Sequence, residues 1–173
     1  MKNRILVTYA SRTGTTAGVA NEIAKTLSER DGQVDVLPMK DVKDLSTYSA
    51  IVVGSAIQAS QWLPEAVQFI QTHQSTLQNV PVAMFSVCMT LAMPNGEKYR
   101  QGVADWVQPV RALVKPVSEG IFAGALDVSK VPSLGDRIKF KMSVALGVWK
   151  EGDHRDWNAI HSWAEDLHPI LAG

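Results

Sequence analysis

The sequence predicts an α/β fold in which a parallel β-sheet is covered by helices on both faces. Short apolar segments alternate along the chain with segments whose apolar residues recur every three or four positions. The short segments are apolar almost throughout, which is typical of parallel strands buried on both faces. No internal repeat, low-complexity tract or linker interrupts the alternation, so residues 1–173 are expected to form one domain.

The predicted strands are the apolar runs 5–10, 34–38, 50–55, 80–87 and 121–126. Four helices are predicted from apolar residues that share a face. These residues are Val19, Ala20, Ile23, Ala24 and Leu27 in the first helix; Ala66, Phe69 and Ile70 after Pro64; Val103, Trp106, Val107 and Val110 within 98–114; and Trp157, Ile160, Ala164 and Leu167 in a last helix that starts near 153–156. Residues 127–152 interrupt the alternation of strands and helices and form an insert.

The composition is that of an ordinary globular protein, with 46% hydrophobic and 20% charged residues. Because 17 basic residues balance 17 acidic ones, charge gives no reason to expect a nucleic-acid partner. A single cysteine, Cys88, excludes an intrachain disulfide, and we expect it to be buried and unreactive. The four histidines lack metal-ligand spacing, so no metal site is expected.

The N-terminal residues lack the features of a signal peptide, and no apolar run approaches the roughly 20 residues needed to span a bilayer. We therefore expect a cytoplasmic protein that is at most peripheral on the inner face of a membrane.

The turn between the first strand and the first helix has the residues of an anion site. Its residues are Ser11, Arg12, Thr13, Gly14, Thr15 and Thr16. Backbone N–H groups at a helix N-terminus favour negative charge, and the four hydroxyls can donate to phosphate oxygens. The Walker and dinucleotide glycine patterns are both missing, so a terminal phosphate monoester is the expected ligand. The alternative is a helix cap without a ligand.

Two further loops are expected at the same edge of the sheet, because ligands of such sheets bind outside the carboxyl ends of the strands. The 56–63 loop contains Trp62, and the 88–97 loop contains Met89, Leu91 and Met93, which can pack on a flat ring. A phosphate site beside two such loops favours a flavin mononucleotide (FMN) pocket. Alternatively, Trp62 belongs to the core and the methionines only fill space.

The turn at 11–16 resembles the phosphate-loop pattern [ST]-x-T-G-x-T of flavodoxins, and the alternation of elements is similar to that fold over essentially the whole chain. Residues 54–57, 86–87 and 122–126, together with the pairs Asp136-Arg137 and Asp156-Trp157, resemble the menaquinone-dependent protoporphyrinogen oxidases, a subfamily with this domain. The resemblance implies a five-stranded, doubly wound parallel sheet of order 2-1-3-4-5, with the insert before the last helix.

The resemblance also implies an FMN-dependent oxidoreductase that oxidises protoporphyrinogen IX, a heme precursor, and passes electrons to a quinone. The FMN phosphate would lie on 11–16, with the ring between the 56–62 and 86–93 loops. The residues expected to bind FMN are Ser11, Arg12, Thr13, Gly14, Thr15, Thr16, Ala56, Ile57, Gln58, Trp62, Ser86, Val87, Cys88, Met89 and Leu91. No side chain is identified as a catalytic acid or base.

Two departures from the flavodoxin pattern argue against a simple electron carrier. The second loop has no aromatic residue before Tyr99, and the chain is neutral where electron-carrier flavodoxins are typically acidic. Two alternatives stay open. One is a one-electron carrier that serves a redox partner protein, and the other is a cofactor-free interaction domain.

Within the insert, residues 137–150 contain four basic residues and no acid. As a helix, this segment would place Ile138, Met142, Ala145, Leu146 and Trp149 on one side. It could lie on an anionic membrane or cover a lipophilic substrate, whose propionates would pair with basic side chains. The residues expected to make these contacts are Arg137, Lys139, Lys141 and Trp149. Alternatively, the apolar side packs on the domain and the lysines face water.

Overall fold

Five parallel strands, with one short antiparallel strand (Gln61–Trp62) added to the third of them, form the sheet of this protein, whose computed structural model describes residues 4–30 and 32–171. The strands are β1 (Arg4–Ala10), β2 (Gln33–Pro38), β3 (Ala50–Gln58), β4 (Val82–Cys88) and β5 (Ser118–Ala123). Their order is β2-β1-β3-β4-β5, which confirms the predicted doubly wound topology. The strand order reverses at β1, which pairs with β2 on one side and with β3 on the other.

Seven helices in the described residues surround the sheet. They are α1 (Thr15–Ser28), α2 (Pro64–Thr72), α3 (Gln74–Leu77), α4 (Arg100–Trp106), α5 (Gln108–Val114), α6 (Leu134–Ala145) and α7 (Trp157–Leu171). Short 3₁₀ turns lie at Met39–Asp41, Met89–Ala92, Gly96–Tyr99 and Val128–Lys130. None of the helices between residues 4 and 171 (residue 31 aside) has the length and apolar content to cross a membrane.

Two apolar layers, one on each face of the sheet, make up the core. On one face α1 and α7 cover the sheet, with Ile23 and Ile160 packed near Phe85 of β4. On the other face α2, α3 and α5 cover it, with Ile70 packed near Ile51 of β3. Burial on both faces explains why β3 and β4 are mostly apolar in the sequence.

The structure corrects three of the predicted elements. The 98–114 segment is two helices, α4 and α5, which meet at Val107. Pro109 lies in the first turn of α5, where a missing N–H is tolerated, whereas inside one continuous helix it could not donate to the carbonyl four residues earlier and its ring would clash with that carbonyl. The 121–126 strand is displaced, because β5 starts at Ser118 and a separate short strand, Ala125–Leu126, follows it.

The third correction concerns Trp157, which was predicted to be buried by the last helix. Ile160, Ala164 and Leu167 are buried as expected, whereas Trp157 is exposed at the first residue of α7. Its ring lies under the guanidinium of Arg155, 4.3 Å from the ring centroid. The side chain therefore belongs to a surface contact next to the 11–16 turn (called the phosphate turn below) rather than to the core.

Candidate functional site

The 11–16 turn adopts the conformation that opens a helix N-terminus to a ligand. Gly14 is the N-cap residue of α1 and is left-handed, with φ 88° and ψ −6°, a conformation that favours glycine. Its N–H donates to Ser11 Oγ at 3.1 Å, which tightens the turn, and Gly18 N–H donates to Gly14 O at 3.0 Å, which starts the helix. Because glycine has no side chain to cap the helix, the first N–H groups stay free for an anion.

Three threonine hydroxyls cluster at this helix N-terminus. Thr13 and Thr15 hydroxyl oxygens lie 3.3 Å apart, and Thr15 Oγ1 also approaches Ala125 O at 3.4 Å. Thr16 Oγ1 is buried and has no hydrogen-bond partner among the residues that the structure describes. A buried hydroxyl without a partner costs about 1–3 kcal/mol, and a phosphate oxygen bound at the helix N-terminus would remove that cost.

Two arginines flank the turn. Arg12 forms an exposed ion pair with Glu65 of α2, with Nη1 and Oε1 2.8 Å apart, so its charge is engaged away from the helix N-terminus. Arg155 donates from Nη1 to Thr15 O at 3.2 Å and from Nη2 to Asp153 Oδ2 at 2.7 Å. This second arginine is mostly buried, with 17% of its side chain exposed.

Arg155 fastens the first turn of α1 to the end of the insert. A methyl group at Gly18 would meet Arg155 Nη1 at 2.4 Å, so the guanidinium packs directly on the helix backbone. The hydrogen bonds from Arg155 hold the pKa of Asp153 below its ordinary value. From the sequence, residues 153–156 are expected only to start the last helix. The arginine between them was the one sequence signal for this contact.

We expect Arg155→Ala to weaken FMN binding about fivefold, because loss of one hydrogen bond of about 1 kcal/mol loosens the turn. Titration of purified protein by flavin fluorescence quenching measures the effect. Riboflavin, which lacks the phosphate, should bind as before. Arg155→Lys should restore only part of the affinity, since an ammonium cannot form the same planar fork.

The matched control is Arg30→Ala. Arg30 also links the α1 and α7 regions, through a 3.2 Å ion pair with Glu165, but it lies beyond the opposite end of α1. Equal losses in the two variants, or equal losses of FMN and riboflavin affinity in Arg155→Ala, would contradict the positioning role.

The 56–63 segment is a hairpin rather than an open loop. β3 continues through Gln58, and Gln61–Trp62 pairs back on it, with Ile57 opposite Trp62. Ala59 and Ser60 at the tip have positive φ angles of 50° and 61°. Ala56 and Ile57 are partly exposed, and Gln58 is exposed at the hairpin end.

Trp62 is not available to contact a flavin ring, which corrects the expectation for this residue. Its side chain is 1% exposed and its Nε1 donates to Ser86 Oγ at 2.8 Å. Ser55 Oγ, on the adjacent strand, accepts from Leu63 N at 3.1 Å. Two buried hydrogen bonds, Trp62 to Ser86 and Leu63 to Ser55, therefore fix the hairpin, and Ser55 is not among the predicted site residues.

The second loop begins at the end of β4. The side chains of Val87 and Cys88 are buried, so only their backbone groups can reach a ligand, and the expectation of a buried thiol at Cys88 is confirmed. Met89 and Leu91 lie in a 3₁₀ turn and are partly exposed. Met89 packs near Gly124, where an added methyl group would meet its sulfur at 3.0 Å. This loop supplies a soft apolar wall at the carboxyl edge of the sheet.

The predicted contacts of the insert lie on or near α6. Arg137 donates from Nε and Nη2 to Val131 O at 3.1 and 2.9 Å, so its side chain fastens the helix to the preceding loop. Lys139 is exposed and pairs with Asp136 at 3.5 Å. Lys141 and Arg137 line a cleft of about 310 Å³ with Val128 and Glu151. Trp149 is partly buried.

A short antiparallel pair closes the insert at its base. Ala125 lies opposite Asp153, and Leu126 lies opposite Gly152. Thr15 Oγ1 reaches Ala125 O on one of these strands, and Arg155 follows the other. The phosphate turn and the insert are therefore in direct contact. No cluster of three or more metal-ligating side chains occurs within the described ranges.

The sheet, the glycine-capped turn and the two edge loops together define a flavodoxin-type protein. The model of the flavodoxin domain family matches residues 6–154, and the chain belongs to that family.

The chain is also similar in sequence to curated proteins. The chain is 28% identical over 172 residues to a protoporphyrinogen IX dehydrogenase [quinone] of Leishmania major, covering 95% of this chain and 74% of the relative. It is 22% identical over 173 residues to the Escherichia coli (strain K12) protein of the same name, covering 95% and 94%. A short-chain flavodoxin associated with a non-canonical PDU bacterial microcompartment is similar in structure, with a TM-score of 0.62, 18% identity and 99% of both chains covered.

Membership of this family indicates FMN as the cofactor, and the residues present fit its phosphate. The free N–H groups after Gly14, the paired hydroxyls of Thr13 and Thr15 and the unpartnered Thr16 hydroxyl supply donors at one helix N-terminus. The first turn of α1 contains no acid that would repel an anion.

Proposed function

We propose that this protein is an FMN-dependent dehydrogenase that oxidises a porphyrinogen, with protoporphyrinogen IX as the suggested substrate, and passes the electrons to a quinone. The observation that carries the proposal is similarity over 95% of this chain to two relatives named for that reaction, in a chain whose phosphate turn fits FMN. Both relatives align over 95% of this chain, so the alignment includes the insert.

Bound FMN would supply the redox chemistry, accepting hydride equivalents from the substrate. The chain's own residues supply binding and orientation. The 11–16 turn would hold the phosphate, and the hairpin tip would present Gln58 and backbone groups to the ring edge. Because Trp62 is buried, the apolar surface that the two loops offer to a ring comes from partly exposed side chains, among them Ile57, Met89 and Leu91.

The insert would hold the substrate over the flavin. Lys139 and Lys141 are exposed cations that can pair with the propionates of a porphyrinogen. Arg137 donates to Val131 O, so we assign it a structural role first, and it also lines the cleft that it shares with Lys141.

The second candidate is a one-electron carrier without its own substrate, and similarity in fold to flavodoxins along the whole chain favours it. The neutral charge of the chain argues for the dehydrogenase, because electron carriers dock on partner proteins through charged surfaces.

Turnover by the FMN-loaded protein tests the proposal. Under anaerobic conditions, protoporphyrinogen IX and a menaquinone analogue are mixed with the protein, and the fluorescent porphyrin product is followed over time. We expect porphyrin formation that requires protein, FMN and quinone together. A rate equal to that of the protein-free mixture would exclude the dehydrogenase, and rapid electron exchange with a flavodoxin reductase in the same preparation would then favour the carrier.

A variant that removes two positive charges from α6 tests how the porphyrinogen is bound. Lys139→Gln with Lys141→Gln should raise the KM for protoporphyrinogen IX and leave the KM for the quinone unchanged, because only the porphyrinogen carries propionates. The matched control is Lys40→Gln with Lys43→Gln, which removes the same charge from exposed sites before β3. An equal KM effect in both variants would contradict a direct role for the α6 lysines.

A further inference from the structure

Helix α6 presents its apolar side to solvent. Leu134, Ile138, Met142 and Leu146 follow one another at four-residue intervals and are 69%, 53%, 60% and 77% exposed. Residues at this spacing lie on one side of a helix, so the four side chains form a continuous strip, the α6 apolar face. The alternative prediction, that this side packs on the domain, is therefore wrong.

Basic side chains border the α6 apolar face. In helical projection Lys141 lies on one flank of the strip and Lys139 on the other, and both are exposed. Lys150 follows shortly after, and residues 137–150 contain no acid. Asp136, at the start of the helix, is paired with Lys139. An apolar strip with a lysine on each flank is typical of helices that lie in the interface of an anionic membrane.

We propose that the α6 apolar face docks on an anionic lipid bilayer, with its four apolar side chains in the acyl boundary and its lysines at the headgroups. Charge complementarity favours this partner over a second copy of the chain, because two such faces would bring their flanking lysines together. The strip is also convex and its side chains project singly, which suits insertion between lipids better than packing into a protein groove.

The topology sets the orientation that docking would produce. The insert leaves the sheet after β5 and returns next to the phosphate turn, so α6 lies on the part of the chain joined to the carboxyl edge. Docking through α6 would hold that edge close to the membrane. If the proposed function is correct, a quinone dissolved in the bilayer would then be close to the flavin. Docking itself does not depend on that function.

Vesicle binding by the FMN-loaded full chain tests the proposal. Protein is sedimented with vesicles of phosphatidylcholine alone and with vesicles of phosphatidylcholine and phosphatidylglycerol in equal parts. We expect binding to the anionic vesicles that weakens as salt is added, because screening reduces attraction to the headgroups. Ile138→Asp with Met142→Asp should reduce the partition coefficient at least about tenfold, through loss of two buried apolar side chains.

Matched variants separate the face from general surface effects. Val117→Asp with Ile170→Asp changes two other exposed apolar residues in the same way and should leave binding unchanged. Lys139→Gln and Lys141→Gln should each reduce binding about fivefold. All of these side chains are exposed, so folding should persist, and retained FMN binding checks it in each variant.

Several outcomes would overturn the proposal. One is absence of sedimentation with anionic vesicles, and another is equal loss of binding in the α6 and control variants. A dimer in vesicle-free solution that Ile138→Asp with Met142→Asp abolishes, combined with unchanged vesicle binding, would assign the face to a second copy instead. Because vesicle binding is measured without substrate, failure here would leave the dehydrogenase assay unaffected.

Discussion

Replacing Thr13 and Thr15 with glutamate is expected to weaken FMN binding at least about 100-fold, since two charge-assisted hydrogen bonds of about 1.5–3 kcal/mol each are lost. Riboflavin should bind the variant as well as it binds the original protein, because it has no phosphate to meet the turn. Fluorescence titration with both flavins, side by side, gives the ratio that identifies a phosphate-specific effect.

The new carboxylates would act as competitors for the helix N-terminus. An acid in the first turn of α1 accepts from the N–H groups that Gly14 leaves uncapped, so it stabilises the helix while it excludes the phosphate. Stability is therefore not expected to fall, and unfolding followed by circular dichroism in urea checks this.

The control for that experiment carries the same added charge elsewhere. Thr47→Glu with Ser75→Glu places two acids at exposed positions, one in the loop before β3 and one in α3. Its affinity for both flavins should match that of the original protein. Unchanged FMN affinity in the Thr13 and Thr15 variant would refute the phosphate assignment and remove the physical basis of the proposed oxidoreductase.

Gly54→Ala is expected to destabilise the fold by about 3 kcal/mol, the upper range for overpacking a core. A methyl group at Gly54 would lie 2.0 Å from the Phe85 ring, and Phe85 is fully buried on the neighbouring strand. The ring cannot swing into solvent, so the strands or the ring must shift. Urea unfolding at one saturating FMN concentration measures the loss for all variants alike.

A second substitution isolates the cause. Phe85→Leu makes room at this position, so the double variant should cost less than the sum of the two single changes. Gly102→Ala is the matched control, because an added methyl group at this exposed position in α4 meets nothing within 4 Å and should stabilise the helix slightly. Additive costs at Gly54 and Phe85 would show that the ring is not the obstacle.

Local sequence patterns predicted the sheet well because its strands are buried on both faces. For the apolar run at 50–55 and the turn at 11–16, the local structure is determined mainly by residues close by in the sequence. Trp62 shows where that reasoning fails. Its hydrogen-bond partner, Ser86, lies 24 residues away, and no local pattern reveals that the indole turns inward.

The α6 segment illustrates a different limit. The spacing of Ile138, Met142 and Leu146 correctly predicted that these residues share a side of the helix, since that is a property of helical geometry. The same prediction was wrong for Trp149, which lies beyond the end of α6. Whether the rest of the domain covers that side depends on how the insert is placed. The same holds for Arg155, whose contact with Thr15 spans 140 residues of chain.

The short pairing of Ala125–Leu126 with Gly152–Asp153 brings both ends of the insert together at one point of the surface. Because residues 126 and 152 are neighbours, a shorter connection or a relative's insert could join them and leave the order of β1 to β5 unchanged. The insert can therefore change in length or sequence during evolution while the sheet and the 11–16 turn, which bind the flavin, stay the same.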